Sequence, residues 1–187
     1  MKKLKVSLEI EESIKEKLDF YSKLSAKKYV ALHGHTIFSD VLLQIEFEDK
    51  EFEKWIEDIY RIRNTYNIEE LRNQLLSFEE KKKIQLWIGN FQDYKKRLSN
   101  NTGIEDYFLS VYQTNISPAM WVAKYSHNLL AGDLKMFPYK NKGLEKWAFE
   151  VSDFRNFVGA KELRKLLLSE GERKEIEEII NRNNEEV

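Results

Sequence analysis

Two histidines one residue apart are, by type and spacing, the side chains in this sequence best placed for chemistry. They stand in the stretch LHGHTIFSD, residues 32–40, as His33 and His35, with Asp40 closing the stretch. On an extended strand such a pair sends both imidazoles to one side, where two ring nitrogens and a carboxylate can converge on a divalent metal. Serine, histidine and aspartate also meet as Ser126-His127 and Ser39-Asp40. Neighbouring residues on a helix point about 100 degrees apart, so Ser126 and His127 are badly placed as nucleophile and base. No Gly-x-Ser-x-Gly elbow, phosphate loop, dinucleotide fingerprint or Cys-x-x-Cys pair occurs.

The stretch 32–40 resembles the opening motif of the polymerase-and-histidinol-phosphatase family of phosphoesterases, which runs Leu-His-x-His-Thr-x-x-Ser-Asp-Gly at a strand end. The resemblance implies a metal held by His33 and His35 with Asp40 close by, in a barrel that draws on further histidines. Val41 stands where that motif has glycine, and His127 is the one remaining histidine. The pattern after residue 49 is helical and lacks the strand–helix alternation of a barrel. No catalytic residue, no metal and no cofactor is expected, and the balance leans against an enzyme.

Two charged faces remain. Glu46, Glu48, Asp49, Glu51, Glu53, Glu57 and Asp58 crowd one stretch against Lys50 and Lys54. Such a run is an ordinary solvated face or an acidic surface for a basic partner, and Glu46, Glu48, Glu51 and Glu53 are its interface candidates. Between residues 120 and 165, nine basic residues oppose five acidic ones. Lys135, Lys140, Lys142, Lys146 and Arg155 there, with Phe137 and Tyr139 among them, would suit phosphate contact and base stacking. Phe137 and Tyr139 serve equally as anchors of a protein interface. The start of the chain, strand Lys5–Ile10 before a helix over 14–24, loosely resembles the ribbon-helix-helix regulators, which would place Lys5, Ser7 and Glu9 against bases.

Composition narrows the classes. Aromatic content of 13% argues for an ordered core, and 2 prolines and 7 glycines in 187 residues argue for long helices. A net charge near -1 implies no long-range steering toward polyanions. Without cysteine, disulfides, thiolate metal sites and cysteine nucleophiles are excluded. The basic start meets Glu9, Glu11 and Glu12 before any apolar run, so no secretory leader is expected, and no stretch is apolar enough for a membrane span. A cytoplasmic location follows as the expectation.

The elements that must position any site are mainly α. Alternation over 4–10 predicts a strand. Tyr29–Leu32 and residues 41–47 predict two more, forming with it a small antiparallel sheet. From residue 49 the period is helical, with Phe52, Trp55, Ile56, Ile59 and Tyr60 on one stripe. Ser13-x-x-Glu16, Asn67-x-x-Glu70 and Ser77-x-x-Glu80 read as caps. Ser117-Pro118 opens a helix that Gly132 would close, and Gly159 ends another. The expectation is an α+β chain of about seven or eight helices with a small N-terminal β element and no internal repeat. One domain, 1–187, is favoured, with a subdivision into an α/β cap 1–48 and a helical body 49–182 left open, and 183–187 a frayed tail. The functional expectation is a protein-binding or inhibitory accessory module of bacterial or phage type, working by surface complementarity. The alternatives are nucleic-acid binding through the 120–165 face and, more remotely, a metal-dependent phosphoesterase at His33 and His35.

Overall fold

The computed structural model describes residues 3–34, 40–98, 102–126, 133–135 and 137–185. Among these the chain is mainly α, with ten α-helices and one two-stranded sheet. It divides into two compact units, Met1–Asn100 and Asn101–Val187.

The first unit opens with β1 (Leu4–Lys5), then α1 (Leu8–Lys17) and α2 (Ala26–His33). A 3₁₀ turn at Leu42–Gln44 leads into β2 (Ile45–Glu46), and α3 (Lys50–Thr65), α4 (Ile68–Leu75) and α5 (Phe78–Leu98) follow. Ten helices among the described residues replace the expected seven or eight, because the apolar run Tyr29–Leu32 lies within α2 instead of a strand and because α9 and α10 are separate helices. The β content is also smaller than alternation predicts. Residues 4–10 hold two strand residues before Ser7 turns the chain into α1, where Leu8 is 64% exposed. Glu11, buried in that helix, accepts from the amides of Glu48 (2.7 Å) and Asp49 (3.0 Å) at the entry to α3. That tertiary demand overrides the local alternation. Tyr29–Leu32 is helix, and β1 pairs with β2 in parallel, Leu4 opposite Ile45, instead of antiparallel.

The second unit contains α6 (Thr102–Tyr112), α7 (Pro118–Tyr125), a 3₁₀ turn at Asp133–Lys135, α8 (Lys142–Phe157), α9 (Ala160–Leu167) and α10 (Glu170–Glu185). Ser117 caps α7 with Pro118 at its first position, as the sequence implies. Gly132 lies outside the described residues. Gly159, at φ +84, separates α8 from α9 in a conformation that favours glycine.

The two units are built on one plan, against the expectation of no repeat. Trp55 Nε1 donates to the Leu24 carbonyl at 2.9 Å, and Trp147 Nε1 to the Ile116 carbonyl at 2.9 Å. Arg72 Nε donates to the Ala31 carbonyl (3.2 Å), and Arg164 Nε to the Ala123 carbonyl (2.9 Å). Every one of these atoms has its counterpart 92 residues further on. The N-caps Ser25, Asp49, Asn67 and Ser77 have theirs at Ser117, Asn141, Gly159 and Ser169. The helices α2, α3 and α4 match α7, α8 and α9 in length as well as position. From residue 24 to 95, twenty-one of seventy-two positions carry the same residue 92 places later. In the first helix the offset is 94. There Glu105 accepts from the Lys140 amide at 2.8 Å, just as Glu11 accepts from the amide of Glu48.

The repeated bonds have a physical logic. The last carbonyls of α2 and α7 lack partners within the helix, and the arginines of α4 and α9 supply one each. The tryptophans tie α3 and α8 to the chain just before α2 and α7. Trp55 packs edge-on to Tyr29 at 4.8 Å, and Trp147 to the equivalent Trp121 at 5.7 Å. Around them Val30, Ala31, Leu42, Phe47, Phe52 and Leu71 form one core, and Val122, Ala123, Leu134, Tyr139, Leu144 and Leu163 the corresponding core of the second unit.

Candidate functional site

His33 is the last residue of α2, so it does not sit on a strand beside His35. Its ring lies half-buried against Tyr29 at 4.7 Å, and burial pushes its pKa down. His35 lies outside the described residues, and Asp40 is exposed. Among the described residues no group of three histidine, aspartate or glutamate side chains is gathered to hold a metal.

The acidic stretch is largely occupied with building the fold. Glu53 meets Lys3 and Lys50, each at 2.8 Å, and Glu48 meets Lys5 at 2.9 Å. Asp49 caps α3 by accepting from the Glu51 and Phe52 amides, and Glu51 stands exposed in the first turn, where the helix dipole favours it. Behind them Lys15 is buried among Glu12, Asp49 and Glu11 at 2.8, 2.9 and 3.2 Å. Burial disfavours its charge, but these carboxylates outweigh that and raise its pKa. Glu46 is exposed on β2.

The basic stretch is also internally compensated. Lys135 pairs with the buried Asp153, Lys142 with Glu145 at 2.8 Å, and Lys146 stands 3.9 Å from Glu150. Lys140 gives its backbone amide to Glu105 and keeps its side chain exposed. Arg155 is half-buried, and its Nη1 has no hydrogen-bond partner among the described residues. Phe137 and Tyr139 are interior, 4% and 5% exposed, with ring centres 5.1 Å apart. They occupy the places that Ile45 and Phe47 fill in the first unit. Their contribution is packing, and burial drives the Tyr139 pKa up.

The surface that sequence reading passed over is the outer side of α5. Phe78 is 74% exposed and Leu86 68%, making them the most exposed large apolar residues described. With Lys82 they occupy positions i, i+4 and i+8, spanning roughly 12 Å at a rise of about 1.5 Å per residue. The core-facing side of the same helix is marked by Ile84, buried at 7%. In the second unit the places of Phe78 and Leu86 are taken by Glu170 and Glu178. The fold therefore accepts carboxylates at both positions, and packing does not explain the phenylalanine and the leucine. The signal was available as two apolar residues on the polar side of the helix.

No described helix is long and apolar enough to cross a membrane. No family model, curated protein or solved structure matches the chain.

Proposed function

We propose that the protein is a non-catalytic binding module that engages a protein partner through the outer face of α5. The observation that carries this reading is the pair Phe78 and Leu86, held out to solvent where the equivalent helix of the same chain carries Glu170 and Glu178. Fully burying a side chain of this size is worth about 1.5–3 kcal/mol, and leaving both out gains the isolated chain nothing. A partner groove that receives apolar anchors at i and i+8, with an acid facing Lys82 between them, recovers that energy by the helix-in-groove mode. The ion pairs of Lys135 and Lys142 weigh against the nucleic-acid alternative, because a phosphate would have to displace a carboxylate at each.

The test is affinity capture from the native lysate with the full chain and with the variant F78S/L86S, each treated with nuclease and washed at low and high salt. A stoichiometric protein retained by the wild type and lost by the variant, at unchanged helicity, supports the reading. A partner retained equally by both refutes it, and nucleic acid released by salt moves the function to the basic stretch.

A further inference from the structure

The repeat exposes a second surface on the opposite side of α5, independent of Phe78 and Leu86. In both units the last helix carries an apolar triad at i, i+3 and i+4: Ile84, Trp87 and Ile88 in α5, and Ile176, Ile179 and Ile180 in α10. Exposure runs in parallel. Ile84 and Ile176 are buried at 7% and 8%, while Trp87 and Ile179 are each 40% exposed. Ile88 and Ile180 are half-buried. Each helix thus buries the start of its stripe and leaves the next turn partly in water, in two copies that have otherwise drifted apart.

The net charge of the two helices has diverged as well. Helix α5 holds six basic and three acidic residues, and α10 holds three basic and six acidic. Four residues before the half-exposed position, α5 has Lys83 and α10 has Glu175, both exposed. Neither forms an ion pair among the described residues. Two equivalent apolar stripes, one flanked by Lys83 and the other by Glu175 on helices of net charge +3 and -3, are complementary to each other and self-repelling with their own kind.

We propose that α5 of one molecule docks against α10 of a second copy of this chain, the apolar triads meeting and the Lys83 side of α5 facing the Glu175 side of α10. Duplication supplies the two matching stripes, and the divergence in charge decides which pairs with which.

The experiment is sedimentation equilibrium of the full chain from micromolar to near-millimolar concentration at low and high salt. Association that weakens with salt is expected. K83E and E175K should each raise the dissociation constant about five-fold or more, and the combined variant K83E/E175K should restore it toward wild type. I179D, which places a charge in the contact centre, should raise it by more than about ten-fold. A monomer at every concentration overturns the proposal, as does a combined variant no tighter than the single ones. A second measurement needs no variant: carbodiimide coupling of a mixture of light and heavy-isotope chains. A Lys83–Glu175 link joining a light to a heavy chain supports the docking, and links confined to one label overturn it. F78S/L86S should leave this association intact, so its failure and that of partner binding are separately read.

Discussion

Gly34 and Ile68 should behave as a coupled pair. Gly34 closes α2, and a Cβ placed there would stand 2.6 Å from the Val30 carbonyl oxygen, 3.2 Å from Ile68 Cδ1 and 3.4 Å from Val30 Cγ1. The second unit shows which of these contacts is negotiable. Ser126 takes the place of Gly34, is 3% exposed, and still donates its amide to the Val122 carbonyl as Gly34 does to Val30. The carbonyl therefore accommodates a side chain. What changes is the neighbour, because Ala160 stands where the first unit has Ile68. Gly34→Ser alone forces one extra side chain against Ile68, an overpacking cost of about 2 kcal/mol. Ile68→Ala alone removes half-buried methyl groups for about 1–2 kcal/mol. Together they recreate the second unit's pair, and the double variant should fall short of the sum by about 1 kcal/mol or more. Urea unfolding of the four proteins, read by linear extrapolation, measures the cycle. Additivity within about 0.5 kcal/mol would refute the compensation and with it the structural equivalence of the two corners.

Three further outcomes follow from the repeated bonds. Trp147→Phe should cost about 2 kcal/mol, one part the lost indole bond to Ile116 and one part lost apolar area. Trp55→Phe should cost less, because Trp55 is only half-buried, and peptide-resolved hydrogen exchange reads each unit separately. Ser77→Ala and Ser169→Ala each remove one half of a reciprocal capping box with Glu80 and Glu172, and each should lower stability by about 1 kcal/mol, with faster amide exchange at those glutamates. The Lys124 ammonium, with the amide and hydroxyl of Ser169, lowers the Glu172 pKa from 4.5 to about 2. Its contribution is thus complete above pH 4.5 and is lost as the pH falls toward 2. Thermal melts should show this acid loss in the wild type and a smaller one in E172Q.

The local grammar of the helices was legible in the sequence. Asn67, Ser77 and Ser117 cap the helices they precede, Gly159 separates two, and Phe52, Ile56, Ile59 and Tyr60 form the buried stripe of α3. Caps and 3.6-residue periodicity act over a few residues, so a window of the chain contains all the physics they need. The candidate surfaces were less legible. Charge runs counted along the chain ignore neighbours distant in sequence, such as Lys3 for Glu53 or Asp153 for Lys135. Aromatic character alone did not separate the interior Phe137 and Tyr139 from the exposed Phe78.

The remaining differences come from distance along the chain. Residues 8–10 alternate like a strand but belong to a helix because Glu11 is needed at two amides 37 and 38 residues away. Tyr29–Leu32 becomes helix where Ser25 caps it and the Ala31 carbonyl finds Arg72. The repeat rests on bonds spanning 31 and 41 residues, whose members are scattered among neighbours free to change. Their identities at a constant spacing of 92 residues stand in the sequence, but which carbonyl each tryptophan and arginine reaches is fixed only when the chain folds. Composition and period sufficed for the helices from α3 onward and for the caps at Asn67, Ser77 and Ser117. Folding decided that α1 and α2 begin where they do, through bonds to distant parts of the chain, and which helix faces remain in water.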